Sequence, residues 1–202
     1  MEGYIVSKIK EKKQKKENQL LDSAYKLITE KGINNTSIQD IVTDAGVAKG
    51  TFYLYFNDKY DLQKKLIIKK SRELFTEAVE KLDKNSISHF DDQIIFIINH
   101  VIDVLKDNTT LLNFISKDLS LGIYAEGVTT IFENEKIGVQ DLFMKGVKEH
   151  NIKLKNKEVT LFMIIELVSS TVFTSIIKKQ PLSIDEYKSF LYDTIRKMIN
   201  EK

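Results

Sequence analysis

The chain has 202 residues, 31 Lys and Arg against 29 Asp and Glu for a formal net charge of +2, and neither Cys nor Trp. Disulfides and thiolate metal sites are therefore excluded, the cytoplasm is the expected setting, and the length suffices for a substantial core. A charge so near balance excludes a polybasic coat, so any basic surface must come from local clustering.

Residues 1–11 read as poorly ordered, and no apolar segment of the secretory kind stands before the first lysines. Residues 8–16, KIKEKKQKK, hold six Lys against one Glu. Two readings fit this run: a basic arm that follows a DNA backbone, or the frayed and solvated start of a helix. From Lys12 to Lys31 the residues Leu20, Ala24, Leu27 and Ile28 share one helical face, and Gly32 marks the stop. Ile33 then reads as a core plug in the connection through Asn34 and Asn35.

The stretch TSIQDIVTDAGVAKGTFYLYFNDK, from Thr36 to Lys59, reads as two short helices around a tight turn. Thr36 is the expected N-cap, with Gln39 closing a capping box. Ile38, Ile41 and Val42 give the first helix an apolar face, and Ala45-Gly46-Val47 ends it because Gly46 tolerates the left-handed conformation of a sharp turn. A second helix is predicted from Ala48 to Tyr55, with Phe52 and Phe56 inward. Lys49, Thr51, Tyr53 and Tyr55 are left for other faces, a cation, a hydroxyl and two phenols suited to phosphates and base edges.

This segment resembles the helix-turn-helix of the TetR/AcrR family of bacterial transcriptional regulators. The resemblance is carried by Asp40-Ile41, Ala45-Gly46-Val47, Gly50-Thr51-Phe52-Tyr53, Tyr55-Phe56, Lys59 and Leu62, and it covers about the first third of the chain. Val42 stands where the family usually has Ala, and Tyr60-Asp61 replaces a commoner acidic pair. The resemblance implies an all-α fold of about nine helices. A three-helix DNA-binding domain at 12–68, with its motif at about 37–56, would precede a C-terminal ligand-binding and dimerisation domain at 69–202. The DNA-contacting set so implied is Ser37, Ala48, Lys49, Gly50, Thr51, Tyr53, Tyr55 and Lys59.

Asn57 is the expected cap of a long helix that continues to near Leu82 and joins the two domains. Further helices are predicted at Ser88–Lys106, Thr110–Leu119, Tyr124–His150, Lys157–Lys179 and Ser183–Asn200, with Pro181 before the last and a capping box between Ser183 and Glu186. The run VTLFMIIELVSSTVFTSII, Val159 to Ile177, is apolar nearly all round. Glu166 and the Ser/Thr cluster at 169–175 argue against a membrane span. A helix with one face on its own core and another on a second copy accounts for both the apolar girth and the small residues. The predicted dimer interface comprises Ser169, Ser170, Phe173, Ile177, Ile184, Tyr187, Leu191 and Met198.

His89, His100 and His150 lack metal-ligand spacing, no nucleophile motif is present, and neither metal nor cofactor is expected. Asn99, His100 and Asp103 interrupt an apolar helix and read either as its solvent stripe or as polar entries to a pocket. Glu166 must be paired with a lysine, placed at a dimer edge, or aimed into a cavity. Phe96, Phe114, Tyr124, Phe132, Phe143 and Phe162, with Met144 and Met163, read singly as core and together as the wall of an apolar cavity. The candidate pocket set is Phe96, His100, Phe114, Tyr124, Phe162 and Glu166. The expected protein is a cytoplasmic homodimeric regulator, a repressor, that binds double-stranded palindromic operator DNA and is released by a small, largely apolar effector, with no membrane partner. Its rivals are an architectural DNA-binding module without a small-molecule switch, marked by a solidly packed C-terminal domain, and a small enzyme built on His100 or Glu166.

Overall fold

The computed structural model describes residues 2–115, 118–120 and 139–200, and these form helices and connections with no strand. The chain divides into two compact units, Met1–Leu66 and Ile67–Lys202.

In the first unit α1 spans Glu2–Lys31. It begins well before the expected Lys12, so the segment read as poorly ordered is helical from Glu2, with Lys8, Lys10 and Glu11 as its good helix formers. Gly32, at φ +80°, ends it. The second helix, α2, spans Ile38–Asp44 and is capped one residue later than expected. The Ser37 hydroxyl accepts from the Asp40 N–H at 3.0 Å, and the Asp40 carboxylate accepts from the Ser37 N–H at 2.9 Å. Thr36 is unavailable as the cap because its buried hydroxyl donates to the Gly32 and Leu27 carbonyls at the end of α1. Gly46, at φ +66°, makes the turn into α3, Lys49–Phe52. This helix is shorter than predicted. Its exit tightens through bonds from Leu54 N–H to Thr51 O and Tyr55 N–H to Phe52 O. Leu20, Leu21, Ala24, Ile28, Ile41, Val42, Phe52, Phe56, Leu62 and Leu66 are buried, with the Phe52 and Phe56 rings 5.5 Å apart.

Helix α4, Lys59–Asp83, runs through the division between the units. Its cap is Asp58 rather than Asn57: the Asp58 carboxylate accepts from the Tyr60 and Asp61 N–H groups, each at 2.8 Å. The second unit adds α5 (Phe90–Asp107), α6 (Thr109–Ile115), α7 (Val139–Glu149), α8 (Lys157–Phe173, extended by a π-helical turn at Thr174–Lys178) and α9 (Ile184–Asn200). Two apolar clusters share α5. One joins Ile94, Ile98 and Ile102 to α7, α8 and α9, and the other joins Ile97, Val101 and Leu105 to α4 and α6.

Polar groups fix α9 against α5. Arg196 bridges Asp91 and Asp92 at 2.6 Å each. Lys188 donates to Asn99 and Asp103, and the Tyr192 hydroxyl donates to Asn99 at 2.7 Å. Burial, with Asp103 nearby, pushes the Tyr192 phenol well above its ordinary range. Asn99 and Asp103 are thus an inter-helix latch instead of a solvent stripe. At the start of α9 the Ser183 hydroxyl turns to the Glu186 carboxylate, which also accepts from the Ser183 N–H, so only the return half of the expected capping box forms.

The segment Lys157–Lys178 is long and apolar enough to cross a membrane, with a mean hydropathy of 1.9. Its Leu161, Ile164, Ile165, Val168 and Val172 are committed to the core of the second unit, which accounts for that composition without lipid.

Candidate nucleic-acid interface

The exposed face of the first unit is set by what its core consumes. Phe52 is fully buried, so Lys49, Gly50 and Tyr53 around it point outward; Ala48 and Ser37 are exposed as well, and Thr51 is half-buried. Tyr53 and Leu54 are 54% and 75% exposed. Two tethers hold α2 to α1, Lys26 to Asp44 at 2.7 Å and Lys31 to Asp40 at 3.0 Å. The Ser37 backbone N–H, then the Lys31 ammonium and the Ser37 hydroxyl, hold the Asp40 carboxyl down at about 2. The Lys26 hydrogen bond lowers Asp44 in the same way.

Two members of the expected DNA-contacting set are used internally. The Tyr55 hydroxyl donates to the Lys13 carbonyl at 3.0 Å, which turns the phenol back onto α1. The Lys59 ammonium donates to the carbonyls of Ile33, Asn34 and Thr36 at 2.8, 3.3 and 3.1 Å. All three of its donors are occupied by the α1–α2 connection, so it does not offer a phosphate the free charge that its place in the first turn of α4 suggested. Lys65 does the same at the other end of the motif, donating to Tyr55 O at 2.8 Å. Spacing along one helix carries no information about loop carbonyls brought up from elsewhere, which is why the sequence reading missed both clamps.

In the second unit a wholly apolar cavity of about 40 Å³ is lined by Phe75, Ile97, Val101, Leu119, Val139, Phe143 and neighbouring α5 and α8 residues. None of the expected pocket residues that the structure describes lines it. Phe96 and Phe114 pack on the α4–α6 cluster, Phe162 is exposed, and Glu166 is half-buried with no ion-pair partner among the described residues. His100 faces α4, its Nε2 3.4 Å from Glu77 Oε1. Tyr124 and Phe132 lie outside the described residues. Among the described aromatics of the wider sequence set, Phe143 alone lines the cavity. Of the expected dimer residues, Ile184 and Leu191 are buried in their own subunit's core, and Tyr187 and Met198 pack on it. Ser170 and Ile177 are exposed and Ser169 and Phe173 half-buried. With Val159, Phe162 and Met163 they form an outward stripe along α8.

A capped helix pair around a glycine turn, with a short outward second helix and a separate helical unit, defines a helix-turn-helix DNA-binding protein. Residues 20–66 match the family model of the bacterial regulatory proteins of the tetR family. That stretch is thus similar to the DNA-binding domain of the tetR family, and along most of its length the chain is similar to transcriptional regulators. It is 28% identical over 200 residues to the HTH-type regulator YvdT of Bacillus subtilis, covering 91% of this chain and 95% of that one. An HTH-type regulator of Staphylococcus aureus is 27% identical over 170 residues, 83% of this chain and 85% of the other. Among solved structures, a TetR-family regulator of Marinobacter aquaeolei aligns with a TM-score of 0.63 at 13% identity, covering 96% and 100% of the two chains. FadR of Bacillus subtilis, solved in complex with stearoyl-CoA, aligns at 0.61 and 20% identity, covering 91% and 98%. These relatives are regulators, not enzymes, which removes the enzyme rival.

Proposed function

We propose that the chain is a homodimeric repressor whose two α3 helices enter successive major grooves of a palindromic operator, and that a small, largely apolar effector releases it. The observation that carries the reading is the pairing, on one chain, of an outward α3 with an outward apolar stripe on α8. The first supplies Lys49, Gly50 and Tyr53 to DNA, with Thr51 partly in reach; the second suits a copy of itself. A two-fold dimer requires the recognition helices about 34 to 36 Å apart, or a multiple of it. The cytoplasm is the setting this function needs. The test is a fluorescence-anisotropy titration of duplexes selected from a random library. The parent should retain a palindrome, with a steep salt dependence, and Lys49→Ala should lose about 1 to 3 kcal/mol if that side chain makes a base contact.

The stearoyl-CoA complex of a fold relative makes long-chain acyl thioesters the first effectors to try. A dry, apolar cavity suits methylenes, but about 40 Å³ is well under the roughly 150 Å³ of a benzene-binding cavity, so an effector must widen it. The second reading, a DNA-binding module with no switch, would need a solidly packed second unit, yet an open, part-polar cleft of about 500 Å³ lies beside Val79, Leu82, Gln93, Leu142 and Glu149. Stearoyl-CoA that raises thermal stability and lowers operator affinity, with operator weakening acyl binding by the same factor, supports the switch. Absence of both effects across acyl chains supports the module.

A further inference from the structure

We infer that Leu54 is a specificity-determining residue that reads the 5-methyl group of a thymine in the major groove; the inference rests on the DNA-binding reading above. Leu54 is 75% exposed, the most exposed large apolar side chain among the described residues, and it stands just past Tyr53, the C-cap of α3. Its backbone is held on both sides. Its own N–H donates to Thr51 O, and the next residue is fixed through the Tyr55 hydroxyl on Lys13 O and the Lys65 ammonium on Tyr55 O. Phe52 and Phe56, which flank this turn, are both buried, so the turn cannot roll to put Leu54 inside without expelling a phenylalanine. The fold therefore presents an isobutyl group to water on a fixed backbone, beside Tyr53 and one turn beyond Lys49. A DNA backbone offers nothing to such a group. In the major groove the one apolar feature of a base edge is the thymine methyl, and apolar side chains are its ordinary contacts.

The experiment uses the full-length parent and a duplex it has retained from a random library. Each thymine is replaced in turn by 2′-deoxyuridine, which removes only the methyl. At one thymine per half-site the parent should lose about fourfold in affinity, the worth of one buried methyl-sized group. Leu54→Ala, whose thermal unfolding should match the parent because the side chain is exposed, should bind the thymine duplex about fourfold more weakly. It should show no further loss on deoxyuridine. A parent indifferent to every replacement overturns the inference, as does a Leu54→Ala variant that keeps the parent's thymine-to-uracil ratio. A parent that retains no duplex at the selection step overturns the DNA-binding reading itself, an earlier and separate result.

Discussion

The Lys59 ammonium lies 2.8 Å from the carbonyl oxygen of Ile33, and with Asn34 and Thr36 it gathers three acceptors of the α1–α2 connection onto the first turn of α4. The cap of α2 at Ser37 begins immediately after those carbonyls, so the charge sets where α2 starts. Lys59→Met should lower stability by about 1 to 3 kcal/mol, the range for leaving such acceptors without their charged donor. Operator affinity should fall with it, while the slope of log affinity against log salt stays at the parent's value. A phosphate ligand would instead reduce that slope by about 0.9. Titration at several salt concentrations decides between them.

Asp40 carries a second test. Its carboxyl is held at about 2 in the folded protein by the Ser37 N–H, Lys31 and the Ser37 hydroxyl, below the ordinary 3.8. A depressed carboxyl contributes stability that is present above its unfolded value and is lost as pH falls through the folded one. The thermal stability advantage of the parent over Asp40→Asn should therefore be constant at neutral pH and shrink as pH drops from about 4 toward 2. An advantage that stays level across that window would place the contribution in the cap's shape and not its charge.

Much of the first unit was legible because its signals are local. The turn glycine at Gly46, the inward pair Phe52 and Phe56, and the apolar face of α2 follow from spacing along one helix or turn. The cap shifted from Thr36 to Ser37 because a distant event, the end of α1 reaching for the Thr36 hydroxyl, competes for the same side chain. Tyr55 and Lys59 were misassigned for the same kind of reason. In the second unit the helices were legible among the described residues, the 124–138 part of one lying outside them, but the choice of which face is core was not. Helix α8 is apolar nearly all round, so periodicity cannot separate Phe162, which is exposed, from Leu161, which is buried. For α9, the assignment of Ile184 and Leu191 to a partner failed because their stripe is the one that meets α5 and α8.

Gly146 marks a contact no pattern reveals. A Cβ built there would lie 2.2 Å from Phe90 Cε2, so the Phe90 ring rests directly on the α7 backbone. Phe90 is itself buried and stacks obliquely on Phe143 at 5.5 Å, leaving the ring no open side. Gly146→Ala should cost at least the 1 to 3 kcal/mol of an overpacked core, against the gain of up to about 1 that alanine brings to an open helix position. Denaturant unfolding measures the sum, and a stabilised variant would show that the ring can move aside.

Association and folding rest on different side chains of the two C-terminal helices. Ser170 is exposed on the α8 stripe, so Ser170→Arg places its charge in water when the subunit is alone and in an apolar interface when two stripes meet. Burial of an unpaired cation costs several kcal/mol, enough to dissociate a dimer at micromolar concentration. Leu191 is 1% exposed within its own subunit, and Leu191→Ala should cost about 2 to 5 kcal/mol of unfolding free energy as a core truncation. Sedimentation should thus find Ser170→Arg folded and monomeric under conditions where the parent is dimeric. Its operator binding should weaken to that of a single half-site. Leu191→Ala should remain dimeric while it stays folded and should melt earlier. If Ser170→Arg sediments as the parent does, the α8 stripe is not the interface and the dimer must be sought on another face.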